Sequence, residues 1–155
     1  MPVIGHRLTP NRVLSLAALT FFSLYALPRD ADRPASVLVA INHVATALTG
    51  DNATDAMAPF DKSFANYAKL RDYFLGLTNS SQLVNEVDVM DEQNSGTQSN
   101  VTVDWTLTLT NKTTFQTERR SGEVHVKLRL DDGKWRIIDF SPIDLFNPQP
   151  KQQPR

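Results

Sequence analysis

Among the acidic residues of the chain, Asp139 has the surroundings best suited to acid–base chemistry. It follows Trp135 and Ile137 at alternate positions in a predicted strand that ends at Ser141. Alternation therefore predicts that the Asp139 carboxyl group lies on the apolar face with those two side chains. Desolvation on that face favours the neutral acid, which suits the group to act as a general base or hydrogen-bond donor. Tyr67, on the apolar side of a predicted helix, is the candidate hydrogen-bonding partner.

Other residue types that carry chemistry are scarce or unsuitably spaced. The chain has no cysteine and three histidines, and it lacks an H-E-x-x-H motif, so thiolate chemistry and a metal site are not expected. It also lacks a P-loop, a G-x-G-x-x-G loop and the G-x-S-x-G nucleophile motif. Sixteen basic and seventeen acidic side chains leave a net charge of −1, which gives no electrostatic basis for binding nucleic acid. We predict no cofactor, no metal and no nucleic-acid partner.

Helical periodicity characterises the chain between residues 34 and 80. Apolar side chains spaced by three and four residues predict a first helix over residues 34–49, with Pro34 in its first turn. A short second helix is predicted before Pro59, and a third over residues 64–77. Each helix has an apolar stripe that needs a second layer to cover it.

Beyond Ser80 the apolar residues alternate with polar ones, which is the period of a half-buried strand. The predicted strands cover residues 82–91, 101–110, 123–130 and 135–141. The fold class that follows is α+β, with N-terminal helices packed on a curved antiparallel four-stranded sheet.

The Asp-Gly turn before Lys134 predicts a hairpin between the last two strands. Pairing Leu130 with Trp135 across this turn keeps the apolar residues of both strands on one face. The same register then places Leu128 opposite Ile137, and Val126 opposite Asp139.

Three stretches of the sequence resemble the NTF2-like superfamily, the cone-shaped fold of SnoaL-like and ketosteroid-isomerase-like proteins. They are FANYAKLRDYFLGL from Phe64, VTVDWTLTL from Val101 and DGKWRIIDFSPIDLFNP from Asp132. More narrowly, the chain resembles small exported NTF2-like proteins of acidobacterial type, which have no assigned activity. The resemblance covers about residues 35–147 and implies a pocket between the helices and the concave face of the sheet. Ketosteroid-isomerase-like enzymes use acids inside the cone, so the resemblance also directs attention to Asp139.

The side chains expected to line such a pocket are mostly aliphatic or aromatic. The candidate ligand-binding residues are Trp105, Leu107, Val126, Leu128, Trp135, Ile137, Phe64 and Phe74. The same set could instead pack into a solid core, because large aromatic side chains fill a cone as readily as they line one.

The opposite face of the predicted sheet is polar. NTF2-like proteins often dimerise through this surface, so the resemblance implies a homodimer contact there. Ile138 and Phe140 are expected on this face, and Asp104 is expected near Lys127 or Arg129.

The N-terminal region has the pattern of a targeting segment and not that of part of the domain. Basic residues precede an apolar run of 15 residues, Val13 to Leu27, and a proline-containing linker follows it. We predict that residues 1–33 form an export signal or membrane anchor plus linker, and that this is the protein's membrane contact. Residues 34–146 are predicted to form the domain, and residues 147–155 a disordered tail.

Three functions remain open at this level. The favoured prediction is an exported, non-catalytic domain that binds a small apolar ligand or a protein partner. One alternative is a SnoaL- or ketosteroid-isomerase-like enzyme that acts on a hydrophobic substrate with Asp139 as general base. The other is a fully packed dimerisation module.

Overall fold

The computed structural model describes residues 36–149, and in them helices precede a four-stranded antiparallel sheet. The elements are α1 (Val37–Thr49), α2 (Ala53–Ala56), α3 (Tyr67–Ser80), β1 (Ser81–Asn94), β2 (Gln98–Asn111), β3 (Thr117–Asp131), β4 (Lys134–Ser141) and a 3-10 helix (Asp144–Phe146). The strands lie in the order β1-β2-β3-β4, which confirms the predicted α+β class. The predicted export segment, residues 1–33, lies outside the described residues, as does most of the predicted tail.

Helix α1 begins at Val37, three residues later than predicted, because Ser36 caps it. The Ser36 hydroxyl accepts a hydrogen bond from the backbone N–H of Leu38 at 3.3 Å, which satisfies one of the free donors of the first turn. Its buried side chains face the sheet: Val37, Ala40, Ile41, Val44, Ala47 and Leu48. No helix in residues 36–149 is both long and apolar enough to cross a membrane.

Helix α3 begins at Tyr67 and continues to Ser80, past the end predicted at Leu77. Gly76 does not end this helix but allows a close approach, since a Cβ atom there would lie 2.8 Å from Cγ of Pro148. The ordered packing therefore extends to Pro148, beyond the predicted domain boundary. Phe64 precedes the helix, in a turn, and is buried.

The hairpin of β3 and β4 confirms part of the predicted register and corrects the rest. Leu130 pairs with Trp135 and Leu128 pairs with Ile137, as predicted. A β-bulge then shifts the register by one residue, so Val126 pairs with Phe140 and not with Asp139. The bulge exchanges the faces of the two residues that follow it, and it places an aromatic ring in the core where the prediction placed a carboxylate.

Candidate functional site

The interior of the cone is filled by aromatic side chains. Six rings form one connected network. Neighbouring rings have centroid distances from 5.3 to 6.3 Å, and most of the pairs pack edge to face. The six, each at most 4% exposed, are Phe60, Phe64, Phe74, Trp105, Phe140 and Phe146. Three of them were not predicted. Phe60 enters from the segment that bridges to Ile137 of β4, Phe140 enters through the bulge, and Phe146 enters from the 3-10 helix that follows β4.

The eight residues predicted to line a pocket are all buried, and they lie in this core. Trp105 is fully buried, and its indole N–H donates to Oδ1 of Asn85 at 2.9 Å. Asn85 was not predicted, although its position in β1 alternates with Leu83 and Val87 on the inward face. Of the eight predicted residues, Trp135 also lines a groove at the surface.

Asp139 does not lie on the apolar face, and that part of the prediction is wrong. It pairs with Lys127 on the polar side of the sheet, and its Oδ1 accepts a hydrogen bond from the backbone N–H of Phe140 at 3.0 Å. Tyr67, at the start of α3, is half-buried beside Phe60 and Asp61. The described structure forms no hydrogen bond between Tyr67 and Asp139, so it does not assemble the predicted acid–phenol pair.

Arg120 is a nearly buried charge that the sequence analysis missed. Its side chain is 11% exposed, and it forms a two-point ion pair with Glu118 at 2.7 and 3.0 Å. Its guanidinium also donates to the backbone oxygens of Leu145 and Asn147, at 3.3 and 2.6 Å. The hydrogen bonds from Arg120 lower the pKa of Glu118, against the opposing effect of partial burial. Arg120 thus fastens the C-terminal segment over the end of the cone.

A second charged cluster covers the edge of β4. Asp61 Oδ2 pairs with Arg129 at 2.8 Å, and Asp61 Oδ1 accepts hydrogen bonds from the hydroxyl and N–H of Ser63 at 2.6 and 2.8 Å. The Ser63 hydrogen bonds are the largest cause that lowers the pKa of Asp61, and the charges of Arg129 and Arg136 add to them. Arg129 lies opposite Arg136, as the register predicted, and Asp61 is the acid that offsets them.

The outer face of the sheet carries unevenly distributed charge. Asp104 does not lie near Lys127 or Arg129 as predicted, because it pairs with Asp88 on one side and Glu123 on the other. Three carboxylates therefore form a row across β1, β2 and β3. The outward cations of β3 lie on both sides of Glu123: Arg119 before it, and Lys127 and Arg129 after it. Phe140 was expected on this face but lies in the core.

A groove of about 430 Å³ runs between the N-terminal half of α1 and the beginning of β4. We call it the α1–β4 groove. Its lining is Ser36, Val39, Ala40, His43, Ala58, Pro59, Lys134, Trp135 and Arg136. The lining is mostly apolar and contains cationic side chains but no acidic one. Elsewhere in residues 36–149, no group of three or more histidine, aspartate or glutamate side chains is arranged to hold a metal ion.

The fold is shared with solved structures from several bacteria. A ketosteroid isomerase-like protein from Erwinia carotovora atroseptica superposes with a TM-score of 0.59 at 16% identity, over 70% of this chain and 93% of that one. An NTF2-like superfamily protein from Salmonella enterica serovar Typhimurium gives 0.55 at 13% identity, over 66% and 83%. The chain has the NTF2-like fold.

An NTF2-like fold at this level of identity does not determine function. A protein of unknown function from Mycobacterium tuberculosis gives a TM-score of 0.57 at 16% identity, over 67% of this chain and 66% of that one. No family model matches the sequence, and no curated protein matches it.

Proposed function

We propose that this NTF2-like chain is an exported, non-catalytic interaction module that forms a homodimer through its outer sheet face. The filled cone is the observation that carries the proposal. Six aromatic rings in mutual contact occupy the space between the helices and the sheet in which a substrate would have to bind. Binding by this protein is therefore expected at its surfaces. Asp139, the residue that favoured an enzyme, is bonded to its own strand on the polar side.

The charges of the outer face favour a partner with the same face. Three adjacent carboxylates repel one another across neighbouring strands, and Asp104 at their centre has an acid on both sides. Arg119 and Lys127 flank Glu123 on β3. A two-fold axis that runs across the strands near Thr106 brings the acidic row of one copy to the level of Arg119 in the other. Such a contact offsets a repulsion that the single chain relieves only through the exposed contact of Glu123 with His125 at 3.2 Å.

Cysteine crosslinking tests this contact directly, because the natural chain has no cysteine. Thr106 lies on β2, one of the two middle strands, and its side chain is on the outer face next to the acidic row. We expect Thr106→Cys to give a disulfide-linked dimer under mild oxidation, while Ala68→Cys, on the exposed side of α3, remains monomeric. Equal crosslinking of the two variants, or none with Thr106→Cys, contradicts the dimer.

Charge reversal at the centre of the row gives a second test. Asp104→Lys removes the complementarity and is expected to weaken the dimer about tenfold or more in analytical ultracentrifugation. Asp72→Lys, an exposed reversal on α3, is the matched control and should leave the dimer unchanged. The dimer should also weaken as salt rises, since exposed charges are screened. A dimer insensitive to both changes does not use this face.

Export is tested separately. We propose that residues 1–33 direct the domain across a membrane. After export, this segment either anchors the domain to the membrane or is cleaved from it. The support is the order of the segment, which is basic residues, an apolar run and a proline exit. A reporter enzyme that is active only outside the cytoplasm, fused after Arg155, should be active with the full chain and inactive when residues 1–33 are deleted. Activity in both cases would contradict the assignment.

A further inference from the structure

We propose that the α1–β4 groove binds a free single-chain amphiphile with an anionic head group. This inference goes beyond the proposed interaction function and does not depend on the dimer. It also differs from a ligand inside the cone, because the groove is open to solvent while the cone is filled.

The floor of the groove suits an apolar chain. Val39 on α1 is 56% exposed, although it is a large aliphatic residue, and it lines the groove together with Trp135, which is 7% exposed. Ala40, Ala58 and Pro59 complete the apolar lining. The volume of about 430 Å³ falls within the range of small-molecule sites. A bound alkyl chain would remove the exposed part of Val39 from water, which is the main favourable contribution expected here.

The rim of the groove determines the charge of the head group. Lys134 and Arg136 both line it, and no aspartate or glutamate does. In residues 36–149, Lys134 forms no ion pair within 4.0 Å. Arg136 donates one hydrogen bond to the carbonyl oxygen of Ala58 at 2.9 Å. The nearby Asp61 carboxylate is paired with Arg129, so Arg136 keeps further N–H donors. A carboxylate at this rim would gain charge-assisted hydrogen bonds that a neutral head group cannot form.

The groove is formed before a ligand arrives. The wall that contains Ala58 and Pro59 is held to β4 by two backbone hydrogen bonds. One runs from the N–H of Ile137 to the oxygen of Pro59 at 2.9 Å, and the other from the N–H of Asp61 to the oxygen of Ile137 at 2.8 Å. A rigid wall lowers the entropic cost of binding, because little of the site has to be ordered.

The two tryptophans of the chain supply a probe and an internal control. Trp135 lines the groove, whereas Trp105 is fully buried in the cone. The full chain, labelled with 5-fluorotryptophan and kept in solution by phosphatidylcholine nanodiscs, should give two fluorine resonances, assigned with a Trp135→Phe variant. Titration with dodecanoate at about pH 8, where the carboxylate is charged, is expected to shift the Trp135 resonance and leave that of Trp105 in place.

Three comparisons test the two halves of the proposal. Dodecanol, which has the same chain and no charge, should bind at least about fivefold more weakly than dodecanoate. Lys134→Gln should lower the dodecanoate affinity by a similar factor, while Lys127→Gln, on the outer face, should not. Val39→Glu should lower the affinity about tenfold or more. Leu75→Glu, the same type of change at an exposed leucine on α3, is the matched control and should leave the affinity unchanged.

Several results would overturn the proposal. If dodecanoate does not shift the Trp135 resonance, the groove does not bind dodecanoate, whether the groove is empty or covered by residues 1–35. A shift of Trp105 places the ligand in the cone. Equal binding of dodecanol removes the anionic head group. A response to nanodiscs that contain phosphatidylglycerol, without a response to dodecanoate, assigns the groove to bilayer lipid instead of a free amphiphile.

Discussion

Arg120 shows how one residue can connect distant parts of this chain. It lies on the inward side of β3 and pairs there with Leu107 of β2. Its ion pair with Glu118 keeps its charge compensated, and its remaining donors hold the carbonyl oxygens of the segment that carries Phe146 into the core. The ion pair and the closure of the cone are therefore coupled through one guanidinium group.

Replacing Arg120 should therefore cost more than replacing its neighbour. We expect Arg120→Leu to lower the free energy of unfolding by about 1–3 kcal/mol, because it leaves two backbone oxygens and a carboxylate without their donor. Arg119→Leu should change it by less than about 0.5 kcal/mol when both variants are compared as dissociated monomers, since Arg119 is then exposed and only weakly paired, with Glu86 at 3.7 Å. Urea denaturation measures both. Equal effects would mean that Arg120 does not hold the C-terminal segment.

The Glu118 carboxylate gives this contact a pH dependence. Its pKa lies below the ordinary value of 4.5, because Arg120 donates to its charged form. The folded state therefore binds this proton less readily than the unfolded state, so the stabilisation is fully present above about pH 4.5 and is lost as the pH falls through the lower folded pKa. Glu118 is more than half exposed, so we expect a contribution of only about 0.2–1 kcal/mol.

Denaturation of the natural chain and of Glu118→Gln across this pH range measures that contribution. The difference in stability between the two should be largest near neutral pH and should shrink below about pH 4.5. A difference that grows on acidification would have the wrong sign and would contradict the assignment.

At the level of elements, the bulge in β4 decides which side chains face the core. Without it, Asp139 would follow Ile137 inward and Phe140 would face solvent, which is the arrangement that strict alternation predicts. With it, Phe140 contacts Phe60, Trp105 and Phe146 at centroid distances of 5.5 to 5.8 Å. One inserted residue thereby changes a candidate active site into a packed interior.

Two substitutions distinguish these arrangements. We expect Phe140→Ala to destabilise the domain by about 3–5 kcal/mol, as truncation of a buried ring does. Asp139→Asn should change stability by less than about 0.5 kcal/mol, because the carboxylate is half-exposed and bonded to its own strand. Thermal and urea denaturation measure both. The reverse order of effects would restore the uninterrupted register and, with it, the case for an acid inside the cone.

At the level of the whole molecule, the described domain buries its own apolar faces. The stripe of α1 and the rings of the cone are covered by one another and by the sheet. The domain has its own core, so we expect the apolar run from Val13 to Leu27 to act outside it.

Deletion of residues 1–33 is accordingly expected to change the melting temperature by no more than about 2 °C. Differential scanning calorimetry of the full chain and the shortened chain, in the same nanodisc buffer, compares them. A large drop would show that the apolar run packs against the domain, and the prediction of an export segment would then be wrong.

The sequence by itself determined the fold class, the order of the elements and the first half of the β3–β4 register. These follow from local periodicity: spacings of three and four mark α1 and α3, alternation marks β2 and β3, and the Asp-Gly turn aligns Leu130 with Trp135. Counting back from Val124 in steps of two also places Arg120 on the inward face. The alternation that predicts an inward arginine was therefore present in the sequence and was not used.

Only the tertiary structure decided what occupies the cone. A bulge leaves no local mark when the residue it inserts, here Ile138, is identical to the inward-facing Ile137 before it, and both registers satisfy the turn equally well. The choice depends on whether Phe140 finds partners in elements distant in the chain, and those partners are Phe60, Trp105 and Phe146. Burying an aromatic ring is favourable and burying a carboxylate is costly, so packing selects the bulged register and moves Asp139 to the polar face.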